Sequence, residues 1–278
     1  IIVCVNKMDL VDYSQDKFNQ IVGDFNNVIT KKEFLDTSID FIPMSSLYGE
    51  NIAQPARTMS WYLGDNLLDA LESLKMSSEN DELPARFPVQ SVIRPKSKEF
   101  HDYRGYAGKV ASGTFKVGDE VLVLPSGLRT RLKSIEQFDG QLTAVNANQS
   151  VTLTLENEID ISRGDMIVKS EDGTTLKSFN SSICWMDSSP LGKGKRYTLQ
   201  HGVNASRVKA EEVNYKVDTA SFVRDETASS LGLNDIGEVT IKLAKPIFAD
   251  SYSKNRSNGA FIMIDESTNN TVGVGFVC

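Results

Sequence analysis

Apolar residues recur every three or four positions up to about residue 74 and then, beyond a polar stretch, never regain that spacing. Before the change, Phe18, Ile21, Val22, Phe25, Val28 and Ile29 fall on one face of a helix. Ser14 stands where an N-cap oxygen meets the first free amides. Leu67, Leu68, Leu71 and Leu74 mark a second helix. Ile1 to Val5 and Ile39 to Met44 read as strands, the first as a buried parallel one. The order is therefore strand, helix, strand, helix, an α/β arrangement.

Lys75 to Arg86 is polar and aperiodic and reads as a linker ending after Pro84. Past it come short strand-like runs between Gly, Asn and Asp turns, among them Glu120 to Leu124, Val151 to Leu155, Ser182 to Met186, Glu238 to Leu243 and Ala260 to Ile264. About 190 residues of all-β pattern exceed one small barrel. The stretch Glu171 to Phe179, with Asp172-Gly173 as a turn, divides it best. The expected organisation is an α/β domain over 1–75, a linker over 76–86, one β-barrel over 87–172 and a second over 173–278.

Composition narrows the partners. Thirty basic against thirty-seven acidic residues leave a net charge of −7, which opposes non-specific attraction to nucleic acid. Cys4, Cys184 and Cys278 are far apart in sequence, with no C-x-x-C pair to signal a thiolate zinc site, and suit a reducing cytoplasm. No apolar run approaches the roughly 20 residues of a membrane span, and no export signal is visible. The chain opens on Ile inside a strand-like run, so the expectation is a piece of something longer, with the missing part upstream of Ile1.

The strongest chemical signal is Asn6-Lys7-Met8-Asp9 at the end of the first strand, where open α/β sheets place ligands. The N-K-x-D pattern suits guanine. A carboxylate at Asp9 can accept from both N1–H and the exocyclic amine, a match adenine cannot make. Asn6 can bridge the base edge and neighbouring loops, and the Lys7 stem can lie against the ring. The same four residues also fit a plain strand-end turn with a capping Asp.

Ser45-Ser46-Leu47 ends the second strand, so both turns fall at one sheet edge. Ser46 is small enough to let a backbone N–H approach the guanine O6, though a Ser-Ser helix cap fits as well. The candidate nucleotide site is thus Asn6, Lys7, Met8, Asp9, Ser45, Ser46 and Leu47, with no catalytic residue and no metal ligand assigned.

These residues resemble the translation-factor class of GTPases, whose guanine motifs are N-K-x-D and S-A-K/L, with Ser46 in place of the Ala. Gly105 to Val121 is similar to the G-x-V-x-x-G-x-F/I/V-K-x-G-D strand-turn-strand of that class's second domain. More narrowly, Phe138-Asp139-Gly140, Glu158 to Asp165, Cys184-Trp185-Met186 and Thr271 to Gly275 resemble the large GTPase subunit of bacterial ATP sulfate adenylyltransferase. The resemblance implies a partial P-loop GTPase α/β domain followed by two translation-factor-type β-barrels. It also implies GTP with Mg2+ in the full-length protein and a smaller catalytic partner subunit. That partner joins ATP and sulfate into adenosine 5′-phosphosulfate and pyrophosphate, driven by GTP hydrolysis.

The phosphate loop G-x-x-x-x-G-K-S/T does not occur in this sequence, so the chain by itself is expected neither to hydrolyse GTP nor to bind it tightly. Asp102-Tyr103-Arg104-Gly105 matches a D-x-x-G switch only formally, since that motif precedes N-K-x-D in the family. His101 and His201, among polar neighbours, are expected to face solvent. Gly192-Lys193-Gly194-Lys195-Arg196 is either a solvated turn or a contact for phosphate or an acidic partner. Arg163-Gly164-Asp165 reads as a turn feeding the strand Met166 to Val168. Two other functions use the same motifs: a translation factor binding tRNA, and a non-catalytic piece that only docks a partner.

Overall fold

The computed structural model describes residues 1–29, 38–74, 79–95, 103–169, 175–219 and 221–278. Their contacts divide the chain into two compact units, Ile1–Ser77 and Ser78–Cys278.

In the first unit β1 (Ile2–Val5) runs parallel to β2 (Asp40–Pro43), with Val5 opposite Pro43. Between them α1 (Gln15–Ile29) starts where Ser14 Oγ accepts the Lys17 N–H at 3.3 Å. Its Phe18 packs with Val5, Met8 and Met59, and the Trp61 ring lies 5.3 Å from that of Phe18. The Val28 and Ile29 side chains lie outside the described residues. The expectation of a buried first strand is corrected: only Val5 of β1 is buried and Cys4 is exposed. The reason is that, among the described residues, β1 pairs with β2 alone, and a two-stranded sheet covers little of itself. The leucine period does form a helix, α2 (Leu67–Ser73), capped by Asn66. None of its residues is buried, and Leu68, Leu71 and Leu74 are exposed.

The second unit begins with α3 (Glu79–Glu82). Residues 79–86, read from sequence as linker, are instead built into a barrel. Asp81 Oδ1 accepts the Ala147 N–H at 2.9 Å, Pro84 O accepts from Ser112 Oγ at 2.7 Å, and Ala85 and Arg86 are buried. Polar residues serve there because they satisfy backbone groups of neighbouring loops. Lys75 to Ser78 lie outside the described residues.

The first barrel uses β3 (Arg86–Pro88), β4 (Ser91–Ile93), β5 (Gly105–Lys109), the short β6 (Phe115–Lys116), β7 (Glu120–Leu124), β8 (Leu128–Gln137), β9 (Gly140–Leu142), β10 (Ala144–Val145), β11 (Ser150–Leu155) and β12 (Met166–Lys169). The order β3-β12-β7-β8-β11-β5-β4 closes because β3 and β4 are nearly continuous in the chain; β9 pairs with β8, and β6 with β10. Phe87, Tyr106, Phe115, Leu132, Ile135 and Leu153 fill it. Gly113, at φ 71°, needs its bare Cα, since a Cβ there would stand 2.4 Å from Ala85 Cα.

The second barrel runs through β13 (Leu176–Trp185), β14 (Leu191–Gly192), β15 (Arg196–His201), β16 (Asn204–Val217), β17 (Arg224–Asp225), β18 (Ser230–Leu231), β19 (Ile236–Ile247), β20 (Ala260–Ile264) and β21 (Thr271–Val277). The order β15-β20-β21-β13-β19-β16 is closed by β15 pairing with β16; β17 extends β16, and β14 pairs with β18. Trp185 is buried in its core, with its Nε1–H donated to Ser189 O at 2.9 Å. His201 is buried at 5% exposure, against the expectation of a solvent position. It continues the inward alternation of Tyr197 and Leu199, its Nε2 lies 2.9 Å from Asn258 O, and burial lowers its pKa. His101, Asp102 and the Asp172-Gly173 turn lie outside the described residues.

The barrels meet in a buried polar knot. Arg86, 2% exposed, donates from Nε and Nη2 to the two oxygens of Asp250 at 3.1 and 3.0 Å and lies 4.8 Å from the Phe248 ring centroid. Asn255 and Asn258 donate to the same carboxylate at 3.0 and 2.9 Å. Leu124, Met166, Val168 and Phe248 pack beside it. Gly164, in the Arg163-Gly164-Asp165 turn before β12, accepts at its carbonyl from Asn204 Nδ2 of the second barrel.

Candidate nucleotide site

Parallel pairing brings the C-terminal ends of β1 and β2 side by side, and both sequence-predicted turns leave from there. Met44 N–H donates to Val5 O at 2.9 Å and Met8 N–H to Met44 O at 3.2 Å, so the ladder continues into the turns. The first turn is tight: Lys7 has φ 65° and ψ 33°, a left-handed conformation unusual outside glycine. Strain of this kind concentrates where the surrounding structure holds a side chain for use.

Two side-chain bonds join the turns. Asn6 Oδ1 accepts the N–H of Lys7 at 2.7 Å and of Ser46 at 3.0 Å. Ser45, fully buried, donates its Oγ–H to Asp9 Oδ1 at 2.6 Å. A charge-assisted bond of that length fixes the carboxylate's orientation. Asn6, Lys7, Asp9, Ser45, Ser46 and Leu47 therefore gather at one edge. Asn6, Lys7, Ser46 and Leu47 are exposed and Asp9 half-exposed.

Two assignments change. Met8 is 1% exposed and sits in the core with Val5 and Phe18, so it anchors the turn and presents nothing to a ligand. The Ser46 N–H, expected to face a carbonyl oxygen of the base, is already donated to Asn6. Among the described residues the Leu47 N–H has no acceptor, and neither have those of Tyr48 and Gly49, so it is one of three open backbone donors of that turn.

Sequence reasoning missed the brace behind the second turn. Asn51, 2% exposed, donates Nδ2–H to Pro43 O at 2.8 Å and accepts the Ala56 N–H at 2.6 Å. Ser45 and Glu50 exchange both backbone bonds, at 3.2 and 3.1 Å. A polar residue in a loop carries no signal of such burial before the loop is folded. Beside the first turn, Tyr13 has its hydroxyl pKa raised, first by desolvation and then by the Glu50 and Asp9 carboxylates. The arrangement can recognise a ring that offers two donors to Asp9 and acceptors to Asn6 Nδ2 and the Leu47 amide.

Among the described residues no cluster of His, Cys, Asp and Glu has the makings of a metal site, and no helix is long and apolar enough to cross a membrane. All three cysteines are free thiols.

A family model described as GTP-eEF1A C-terminal domain-like matches residues 178–278. The whole chain is 41% identical to sulfate adenylyltransferase subunit 1 of Bacteroides fragilis and 42% identical to that of Aliarcobacter butzleri, covering 57% and 58% of those proteins. It is 37% identical to the bifunctional enzyme CysN/CysC of Mycobacterium tuberculosis, of which it covers 45%. The chain thus spans little more than half the length of the subunit 1 relatives. Among solved structures, sup35 complexed with GMPPNP gives a TM-score of 0.63 at 18% identity, over 99% of this chain and 68% of that one. The Ski7 GTPase-like domain of S. cerevisiae, bound to GDP and inorganic phosphate, gives 0.55 at 16%, over 100% and 64%. These two likenesses show a shared fold.

Proposed function

We propose, from identity of 41% and 42% along the whole chain to sulfate adenylyltransferase subunit 1 of two bacteria, that it is the guanine-reading edge and the two barrels of a GTPase subunit in sulfate activation. In this reading the full-length protein hydrolyses GTP and couples that energy to a smaller catalytic subunit. The catalytic subunit joins ATP and sulfate into adenosine 5′-phosphosulfate and pyrophosphate. The observation that carries the reading is the Ser45–Asp9 bond of 2.6 Å, which orients a carboxylate at the mouth of the two joined turns.

Asp9 accepts the N1–H and exocyclic amine of guanine, while its bond from Ser45 leaves lone pairs on both oxygens. Asn6 uses Oδ1 to hold the turns together and so turns Nδ2–H toward the base edge. The Leu47 N–H donates to O6, with Ser46 serving as the link to Asn6. The Lys7 stem, exposed on its left-handed turn, covers one ring face.

The residues present fit the base. This sequence holds no G-x-x-x-x-G-K-S/T loop to fit the triphosphate or Mg2+. Weak nucleotide binding by the isolated chain follows, since most charge-assisted contacts to GTP are made at its phosphates. A tRNA-carrying role draws less support, given the net charge of −7 and similarity that runs the whole chain to sulfate adenylyltransferase subunit 1. Three free thiols suit a reducing cytoplasm.

The test uses the full-length protein with its partner subunit. GTP hydrolysis and adenosine 5′-phosphosulfate formation should rise together when sulfate and ATP are added. GTP turnover with no dependence on the partner or on sulfate would refute the reading.

A further inference from the structure

The short basic run before β15 gains meaning from strand register. Arg196 of β15 stands directly opposite Lys209 of β16, and Lys209 directly opposite Lys242 of β19. Three cations therefore form one row across three adjacent strands, about 10 Å long at the usual strand spacing. Like charges in such direct opposition weaken a sheet. Arg207, two residues before Lys209 on the same face and 77% exposed, widens the row. Lys193 stands beside it on the exposed turn, which is tied to β16 by the Gly194 N–H to Ala210 O bond of 2.8 Å.

Neutralisation is partial. Glu266 lies 3.2 Å from Arg207 and Glu211 3.7 Å from Lys242. Among the described residues Arg196 and Lys209 have no ion-pair partner. Between the cations runs a groove of about 280 Å3 lined by Arg196, Arg207, Lys209 and Lys242, while the neighbouring Val208 and Leu243 are buried in the barrel core behind it. This cationic concentration sits on a chain whose net charge is −7.

We propose that the row Arg196–Lys209–Lys242 on the second barrel docks an acidic protein surface. Under the function proposed above, on which this inference rests, that surface belongs to the second subunit. Protein is favoured over nucleic acid on two counts. The row is short, and its rim is broken by Glu211 and Glu266, which a phosphate backbone would meet as repulsion. Exposed charges at a rim of this kind act mainly on encounter, raising the association rate and leaving dissociation little changed.

The experiment measures association of the full-length protein with its second subunit by stopped flow, at low and at high salt. For the wild type the association rate should fall about tenfold as salt screens the row. In Lys209→Glu/Lys242→Glu the rate should start about tenfold lower at low salt and depend little on salt, with dissociation and GTP affinity unchanged. Lys209→Gln, which removes one charge without adding another, should fall between. A wild-type rate and salt slope in the charge-reversal protein, with coupled activity intact, would overturn this inference and leave the function standing. Failure of the wild-type proteins to associate at all would overturn both. RNA-duplex binding that the charge reversal abolishes, beside unchanged subunit association, would replace the acidic protein surface with a phosphate backbone.

Discussion

Replacing Asp250 by alanine should cost the second unit about 3–5 kcal/mol. The carboxylate takes two bonds from Arg86, at 3.0 and 3.1 Å, and one each from Asn255 and Asn258. Arg86 is 2% exposed, so water cannot replace the lost partner, and the change takes from a buried guanidinium the carboxylate that meets its Nε and Nη2. The two asparagine amides lose an acceptor in the same step. In a unit of this size such a loss lowers the melting temperature by roughly 10 °C. The assay is thermal and urea unfolding of the 278-residue chain carrying Trp61→Phe, so that Trp185 is the one tryptophan left, followed by fluorescence and by circular dichroism. The companion variant Arg86→Met/Asp250→Leu removes both charges and should recover most of the loss, because no buried ion is left alone. If Asp250→Ala loses under 1 kcal/mol, or loses no more than the double variant, the guanidinium is not held by this carboxylate and the reasoning fails.

Ser45→Ala in the full-length protein should weaken GTP binding by about tenfold or more, the usual worth of a hydrogen bond to a charged group, and titration with a fluorescent nucleotide reads it. Gly113→Ala should destabilise the first barrel by about 2–4 kcal/mol in urea, since its Cβ meets Ala85 at 2.4 Å on a backbone with φ 71°. His201 is buried with a pKa below the 6.5 of the unfolded chain. Below pH 6.5 the unfolded state therefore binds a proton that the folded state refuses, and stability drops as pH falls through that value and is unaffected above it. Urea midpoints between pH 8 and pH 5 should show the decline, and His201→Asn should flatten it.

Much of this architecture can be read before folding. Asn6 to Asp9 and Ser45 to Leu47 each follow a strand, and two parallel strands bring their ends together by necessity. What the motif could not reveal is that Met8 points inward while Lys7 and Asp9 do not, because that depends on the left-handed turn at Lys7. The burial of His201 is legible in the sequence: Tyr197, Leu199 and His201 alternate inward along β15, and a polar residue on a buried alternation is still buried. Residues 79–86 misled because polar composition marks both a solvated linker and a segment that hydrogen-bonds loops. The cation row lies beyond any linear reading, since Arg196, Lys209 and Lys242 meet only through strand register.

The role of Asp9 is tested most directly by changing what it can accept. In Asp9→Asn of the full-length protein the side chain keeps one acceptor for N1–H and gains a donor. That donor suits xanthine, whose C2 carries an oxygen where guanine carries an amine. Competition between GTP and xanthosine triphosphate, followed by equilibrium binding, should show GTP affinity falling roughly 10³- to 10⁴-fold and the preference reversing. Unchanged GTP affinity, with xanthosine triphosphate still rejected, would contradict the assignment of these two turns as the guanine site.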